Sequence, residues 1–158
     1  MGARLVGAAV LLLLLASCEA MCGPVPAAST QRDQPINCVD TTAPHHAYVV
    51  VQHASGAWIE KCVGFAPEVI DVPTLMERAG IRYAAPGDTM STIDGEPASQ
   101  STQAMRWVLY VAVGTRWTMT DEPFATMQLS NTQAVGWRYV HAGDASPAPP
   151  PLPHRLPG

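Results

Sequence analysis

What most restricts the fold of this chain is the punctuation of its middle stretch, where short β-branched and aromatic runs are cut by turn residues and one segment alone keeps a helical period. Ala47 to His53 (AYVVVQH) reads as a strand, Ala54-Ser55-Gly56 as a turn, and Ala57 to Phe65 (AWIEKCVGF) as the returning arm of a hairpin. The helix follows. Asp71 is placed to cap it and Pro73 falls in the first turn, where a missing N–H costs nothing. Val72, Leu75, Met76 and Ala79 recur at helical spacing, and Gly80 stops the run. A helix of about two turns is unstable alone, so its apolar stripe has to lie on a sheet. Ile81 to Ala84, Met90 to Ile93 before the Asp94-Gly95 turn, Trp107 to Val113, Phe124 to Leu129 and Gly136 to Val140 read as further strands. Hairpin, helix and more strands predict an α+β domain, a small mixed sheet with one short helix packed on one face.

The N-terminal end follows another logic. Arg4 supplies a positive charge and Leu5 to Leu15 is an apolar run of signal-peptide length. It is too short to span a bilayer, which takes about 20 apolar residues. The run ends at Leu15-Ala16-Ser17-Cys18, which resembles the lipobox of bacterial lipoproteins, where small residues admit a dedicated peptidase and the cysteine takes the lipid. The resemblance implies a signal peptide over residues 1–18, lipidation of Cys18 by palmitate-type chains, and a mature protein held at a cell membrane. Several acyl chains together anchor firmly where one is marginal. Ordinary cleavage after Ala20 would instead release a secreted protein; both routes predict a site outside the cytoplasm.

Residues 19–45 are small, polar and proline-bearing and are expected to be a flexible tether, residues 46–142 the folded domain, and residues 143–158 a Pro-rich disordered tail. The tail, SPAPPPLPHRLPG from Ser146, is expected to be extended and solvated, although its PxxP-like spacing would suit a partner's groove. A net charge of −4 with the basic residues scattered singly argues against nucleic-acid binding. With Cys18 lipidated, Cys22, Cys38 and Cys62 remain. Cys38 just before one strand and Cys62 inside the next favour a Cys38–Cys62 disulfide in an oxidising compartment; a bridge from Cys22 or three free thiols are the alternatives.

The order of elements also resembles the β-grasp (ubiquitin-like) domain found in bacterial envelope proteins of unassigned function and at the C-terminal end of transcobalamin and intrinsic factor. The residues that carry the likeness are Val72-Pro73-Thr74-Leu75-Met76, Ser91-Thr92-Ile93-Asp94-Gly95, Trp107-Val108-Leu109-Tyr110-Val111 and Gly136-Trp137-Arg138-Tyr139. They are patterns of core and turn, so they bear on fold more than on chemistry. The chain departs from the family where Val113-Gly114-Thr115-Arg116 replaces an asparagine-glycine turn and where Gln133-Ala134-Val135 replaces a glycine-aspartate pair.

Motifs for catalysis are missing from the sequence: it holds no nucleophile elbow, no glycine-rich phosphate loop and no zinc-protease helix. The expectation is a non-enzymatic envelope protein with no cofactor, whose domain binds or presents an unidentified ligand or partner. His45, His46, His53 and His141 are the best candidates for a metal, but His45 and His46 adjoin and would point to opposite sides of a strand, so no metal site is expected. The candidate ligand-binding residues are aromatic: Trp107, Tyr110, Trp117, Trp137 and Tyr139, whose flat rings would receive a planar ligand on the sheet side that the helix leaves open; the alternative, favoured in a small domain with few phenylalanines, is that they fill the core. The resemblance, with the aromatic face, implies one alternative, a small-molecule carrier for a corrinoid or other planar ligand; a sheet edge or the proline-rich tail offers another, a structural module that engages another envelope protein.

Overall fold

A computed structural model describes residues 38–97 and 104–154; the expected signal peptide, Cys18, Cys22 and residues 19–37 of the expected tether lie outside them. The hairpin forms where β-branched residues predict it, β2 (His45–Gln52) pairing antiparallel with β3 (Trp58–Phe65) through Tyr48 opposite Cys62 and Val50 opposite Glu60. A two-residue strand β1 (Cys38–Val39) lies parallel to β3 and sets Cys38 directly opposite Cys62. These cysteines form a disulfide with a Cα–Cα distance of 4.4 Å. Cys38, Val39 and His45, expected to be tether, are therefore in the sheet, and residues 40–44 connect them by turns.

Beyond a short strand β4 (Val69–Asp71), the helix α1 (Val72–Arg78) starts and stops as its sequence dictates. The Asp71 carboxylate accepts the Thr74 N–H at 2.8 Å and the Thr74 hydroxyl at 2.9 Å, and the backbone bond holds the carboxyl below its ordinary value. Pro73 sits in the first turn. At the other end Gly80 adopts φ +73°, while its N–H bonds to the Glu77 carbonyl and the Ile81 N–H to the Met76 carbonyl, the paired closure of a Schellman motif.

Three two-residue strands follow, β5 (Tyr83–Ala84), β6 (Thr92–Ile93) and β7 (Glu96–Pro97), with Asp94 and Gly95 both at positive φ in the tight turn between the last two. The long strand β8 (Met105–Val113) turns into β9 (Arg116–Met119). Phe124–Thr126 is a 3-10 turn rather than the start of a strand, since Pro123 precedes it; only β10 (Gln128–Ser130) of that stretch is extended, and it pairs with β4. The chain closes the sheet with β11 (Ala134–His141), parallel to β2 and antiparallel to β8.

The main sheet therefore has the order β1-β3-β2-β11-β8-β9, mixed because β11 and β1 each run parallel to a neighbour. One face carries α1: Ala47, Val49, Val51, Val63, Val135, Trp137, Trp107 and Leu109 bury against Val72, Leu75 and Met76 in a single core. This is the expected α+β arrangement of a mixed sheet with one helix on one face. No helix among the described residues is long and apolar enough to cross a membrane.

The C-terminal segment departs from expectation. Residues 147–154 lie on the opposite face of the sheet, with Pro147, Pro150 and Pro153 buried, so the solvated spacer expected from composition does not hold for them. A segment without backbone donors at its prolines is kept there by its carbonyls: the Tyr110 hydroxyl donates to the Pro147 carbonyl at 2.7 Å, and the Arg138 guanidinium to the carbonyls of Ala148 and Pro149.

Candidate functional site

The strand periodicity that places alternate residues on opposite faces divides the aromatic residues singled out from the sequence. Trp107 stands opposite Tyr139 and Trp137 opposite Leu109 on the helix face, whereas Tyr110 stands opposite Gly136, and Trp117 opposite Ala112, on the other. Two sites result, one on each side of the sheet.

On the helix face the outer edge of β8 is only half paired. β9 matches residues 110–113, and beyond it the Thr120 N–H to the Leu109 carbonyl is the last bond before the chain leaves. No strand among the described residues lies beside the outer edge of Met105–Leu109. There a cleft of ≈ 430 Å³ opens, its apolar wall built from Met90, Met105, Trp107, Leu109, Phe124 and Trp137. Asp88, Arg106, Asp121 and Glu122 also line it.

Each indole wall is fixed differently. Trp107 is 7% exposed, donates Nε1–H to the Glu96 carbonyl at 3.3 Å and meets Tyr139 at 4.9 Å between ring centroids. Tyr139 in turn donates its hydroxyl to the Pro97 carbonyl, and burial pushes its phenol upward. Trp137 is 3% exposed and stands edge-on to Phe124 at 5.5 Å, yet its Nε1 is buried without a hydrogen-bond partner. A buried donor left unpaired costs about 1–3 kcal/mol. Chemically the cleft offers flat apolar area, two thioethers and carboxylates at its sides.

The other face is occupied. Trp117 covers the patch of Tyr48, Cys62, Ala112 and Ala134, and Pro150 lies over Gly136 beside it. Burial raises the Tyr110 phenol, with the Arg138 charge opposing that shift. Farther along, the Glu60 carboxylate receives both the backbone N–H and the ring Nδ1 of His154, the latter at 2.8 Å, while the His154 ring stacks on Trp58 at 6.1 Å and 17°.

The four histidines considered for a metal do not converge. His45 and His46 sit at the start of β2, the former against Phe65, while His53 lies past its end in contact with Glu96 at 2.7 Å and His141 ends β11. Among the described residues, no group of three or more His, Cys, Asp or Glu could hold a metal ion.

Sequence reasoning missed Met90, Met105 and Phe124 in the cleft, and Gln52, Glu60, Gly136 and Arg138 under the C-terminal segment. One signal for the latter was available: Pro147, Pro150 and Pro153 recur every third residue, the period of a polyproline helix.

No protein-family model matches the sequence, and no curated protein matches it. A solved structure described as a "putative metal binding protein", from Ruminococcus gnavus, is similar at 15% identity with a TM-score of 0.48, over 62% of this chain and 98% of that chain.

Proposed function

We propose that this chain is an exported, lipid-anchored, non-enzymatic envelope protein whose β-grasp domain binds a small, mainly apolar ligand in the cleft between Trp107, Trp137 and Phe124. The observation that carries the binding is the cleft itself, ≈ 430 Å³ beside the half-paired outer edge of β8 and walled by Trp107, Trp137 and Phe124. Its two indoles and phenyl ring favour a flat ligand, and the volume is suited to one or two rings.

The β-grasp assignment is supported by the way the parallel pair β2–β11 joins the β2–β3 hairpin to the β8–β9 pair, with α1 crossing one side. Export and anchoring are supported by the Leu5–Leu15 run and by Cys18, and a Cys38–Cys62 bridge suits an oxidising compartment. Recognition without transformation is supported by a sequence that carries none of the motifs of nucleophilic, phosphoryl-transfer or zinc catalysis.

Titration with a panel of one- and two-ring carbonyl and heteroaromatic probes, followed by the Trp137 indole signal in NMR, tests the site. A saturable shift of this signal in the wild type, together with binding weakened at least severalfold in Trp137→Leu as followed by the neighbouring Trp107 indole signal, would support the reading. A panel that leaves this signal unmoved at millimolar concentration overturns it. For the anchor, an unchanged mass and membrane partition in Cys18→Ala would remove the lipid.

A further inference from the structure

The sheet face opposite α1 holds a segment whose mode of attachment is that of a ligand. Pro147, Pro150 and Pro153 are buried, with more exposed residues between them, so the segment meets the sheet at every third residue, the period that one edge of a polyproline helix would present. Its polar contacts are made to main-chain carbonyls, from the Tyr110 hydroxyl to Pro147 and from Arg138 to Ala148 and Pro149. Such contacts recognise a polyproline backbone more than a particular sequence. Gly136 supplies the floor: a Cβ there would stand 2.8 Å from Pro150 Cγ and 2.9 Å from Trp117 Cη2. At the far end Glu60, with a side chain only 8% exposed, takes the two donors of His154.

We propose that this face is a recognition groove for polyproline-type segments, occupied in this chain by its own residues 147–154, and that a proline-rich stretch of another exported polypeptide takes their place. The resident segment is an incomplete ligand. On the same face the Trp117 Nε1 and the Gln52 Oε1 are buried without partners, Gln52 sharing the face because it stands opposite Arg138 and Trp58. A segment that sets a carbonyl against Trp117 and a donor against Gln52 makes both bonds that the resident one leaves unmade. The nearly buried Glu60 fixes a second requirement, a cationic or imidazole donor next to the third inward proline. Residues 142–146 are exposed but bonded: the Ala142 N–H donates to the Ala104 carbonyl and the Arg106 guanidinium to the Asp144 carbonyl, so the resident segment lifts from residue 147 onward. This site is separate from the cleft and does not depend on it.

The test uses the full chain. Pro147→Ser/Pro150→Ser/Pro153→Ser weakens the resident segment, and two peptides serve as probes: one copying residues 146–157, the other of unrelated sequence with prolines at every third position and an arginine after the third. The Trp117 and Trp58 indole NMR signals report occupancy. Saturable shifts with both peptides on the triple variant are expected, with binding to the wild type weaker by about tenfold or more because the resident segment competes. A peptide of the same composition with the prolines off period should shift nothing, and adding Gly136→Val should abolish binding. If the triple variant does not fold, His154→Ala, which frees Glu60 and loosens one end only, takes its place in the same titration. Absence of a saturable shift in the folded variant, or an equal response to the off-period peptide, overturns the groove. Binding of the self-copy peptide alone, with concentration-dependent dimers of the wild type, overturns the partner in favour of exchange between copies.

Discussion

Pro150 lies against the α-carbon of Gly136, so close that a methyl group on Gly136 would stand 2.8 Å from its Cγ. The last strand of the sheet thus carries its glycine where the returning C-terminal segment crosses it, and the two ends of residues 134–154 are fitted to each other. Gly136→Ala forces either Pro150 or Trp117 to move, and overpacking of this kind costs about 1–3 kcal/mol. The strain is relieved by lifting the segment, so its loss should be local. The expected outcome is faster proteolytic trimming after residue 145, with the main thermal transition lowered by a few degrees. Unchanged trimming would mean that the segment is not held at Gly136.

Tyr110 makes the attachment sensitive to alkali. Its hydroxyl donates to the Pro147 carbonyl, and burial raises its phenol above the ordinary value of 10.0. A raised folded value means that this contribution is complete below pH 10.0 and is lost as the pH climbs through the folded value, where the phenolate has no proton to give. Trimming of the C-terminal segment should therefore accelerate only above the ordinary tyrosine range. Tyr110→Phe should trim faster at neutral pH and lose the alkaline step, which a protease assay across pH would read directly.

The elements with strong local chemistry were legible: the β-branched hairpin, the Asp71 cap, the Gly80 stop and the Asp94-Gly95 turn all formed where their residues demanded. Strands β1, β5 to β7 and β9 were unclear or mis-sized because two to four residues carry no period, and Glu96–Pro97 even contains a proline. The C-terminal segment was misread for a different reason. Its composition sets a polyproline conformation, but whether that conformation is solvated depends on Glu60, Tyr110, Gly136 and Arg138, which are distant in sequence and meet only through the sheet register. Trp107 and Trp137 could be named as candidates from the sequence. Their shared cleft could not, because Met90, Phe124 and the Asp88 and Asp121 carboxylates reach it from separate loops.

Asp71 gives an acid-side prediction. Its bond from the Thr74 N–H lowers the folded carboxyl below 3.8, so its contribution is present above that value and disappears as the pH falls through the lowered one. Asp71→Ala should lose about 1 kcal/mol at neutral pH, the usual worth of a helix N-cap. Asp71→Asn retains an acceptor but cannot ionise. Urea unfolding of the wild type and the Asn variant should show a gap at neutral pH that begins to narrow near pH 3.8 and closes only as the pH falls through the lowered folded value. A gap that persists in acid would assign the difference to packing and not to charge.

Cys38 and Cys62 face each other in the β1–β3 register at a sequence separation of 24, which closes a loop around the whole of β2. A cross-link over a loop of that length contributes on the order of 3 kcal/mol, chiefly by restricting the unfolded chain. β1 has little else to hold it: it is two residues long, and its exposed Val39 adds no core. Gly64 nonetheless packs against the Asp40 carbonyl, so the approach of this segment to β3 is built into both strands. Cys38→Ser/Cys62→Ser should therefore stay folded under mild conditions, lower the urea midpoint, and lose amide protection in residues 38–45 well before the β2–β11–β8 centre. Equal loss of protection throughout the sheet would instead make the bridge a requirement for the whole domain, and the edge would then be the nucleus on which the hairpin depends.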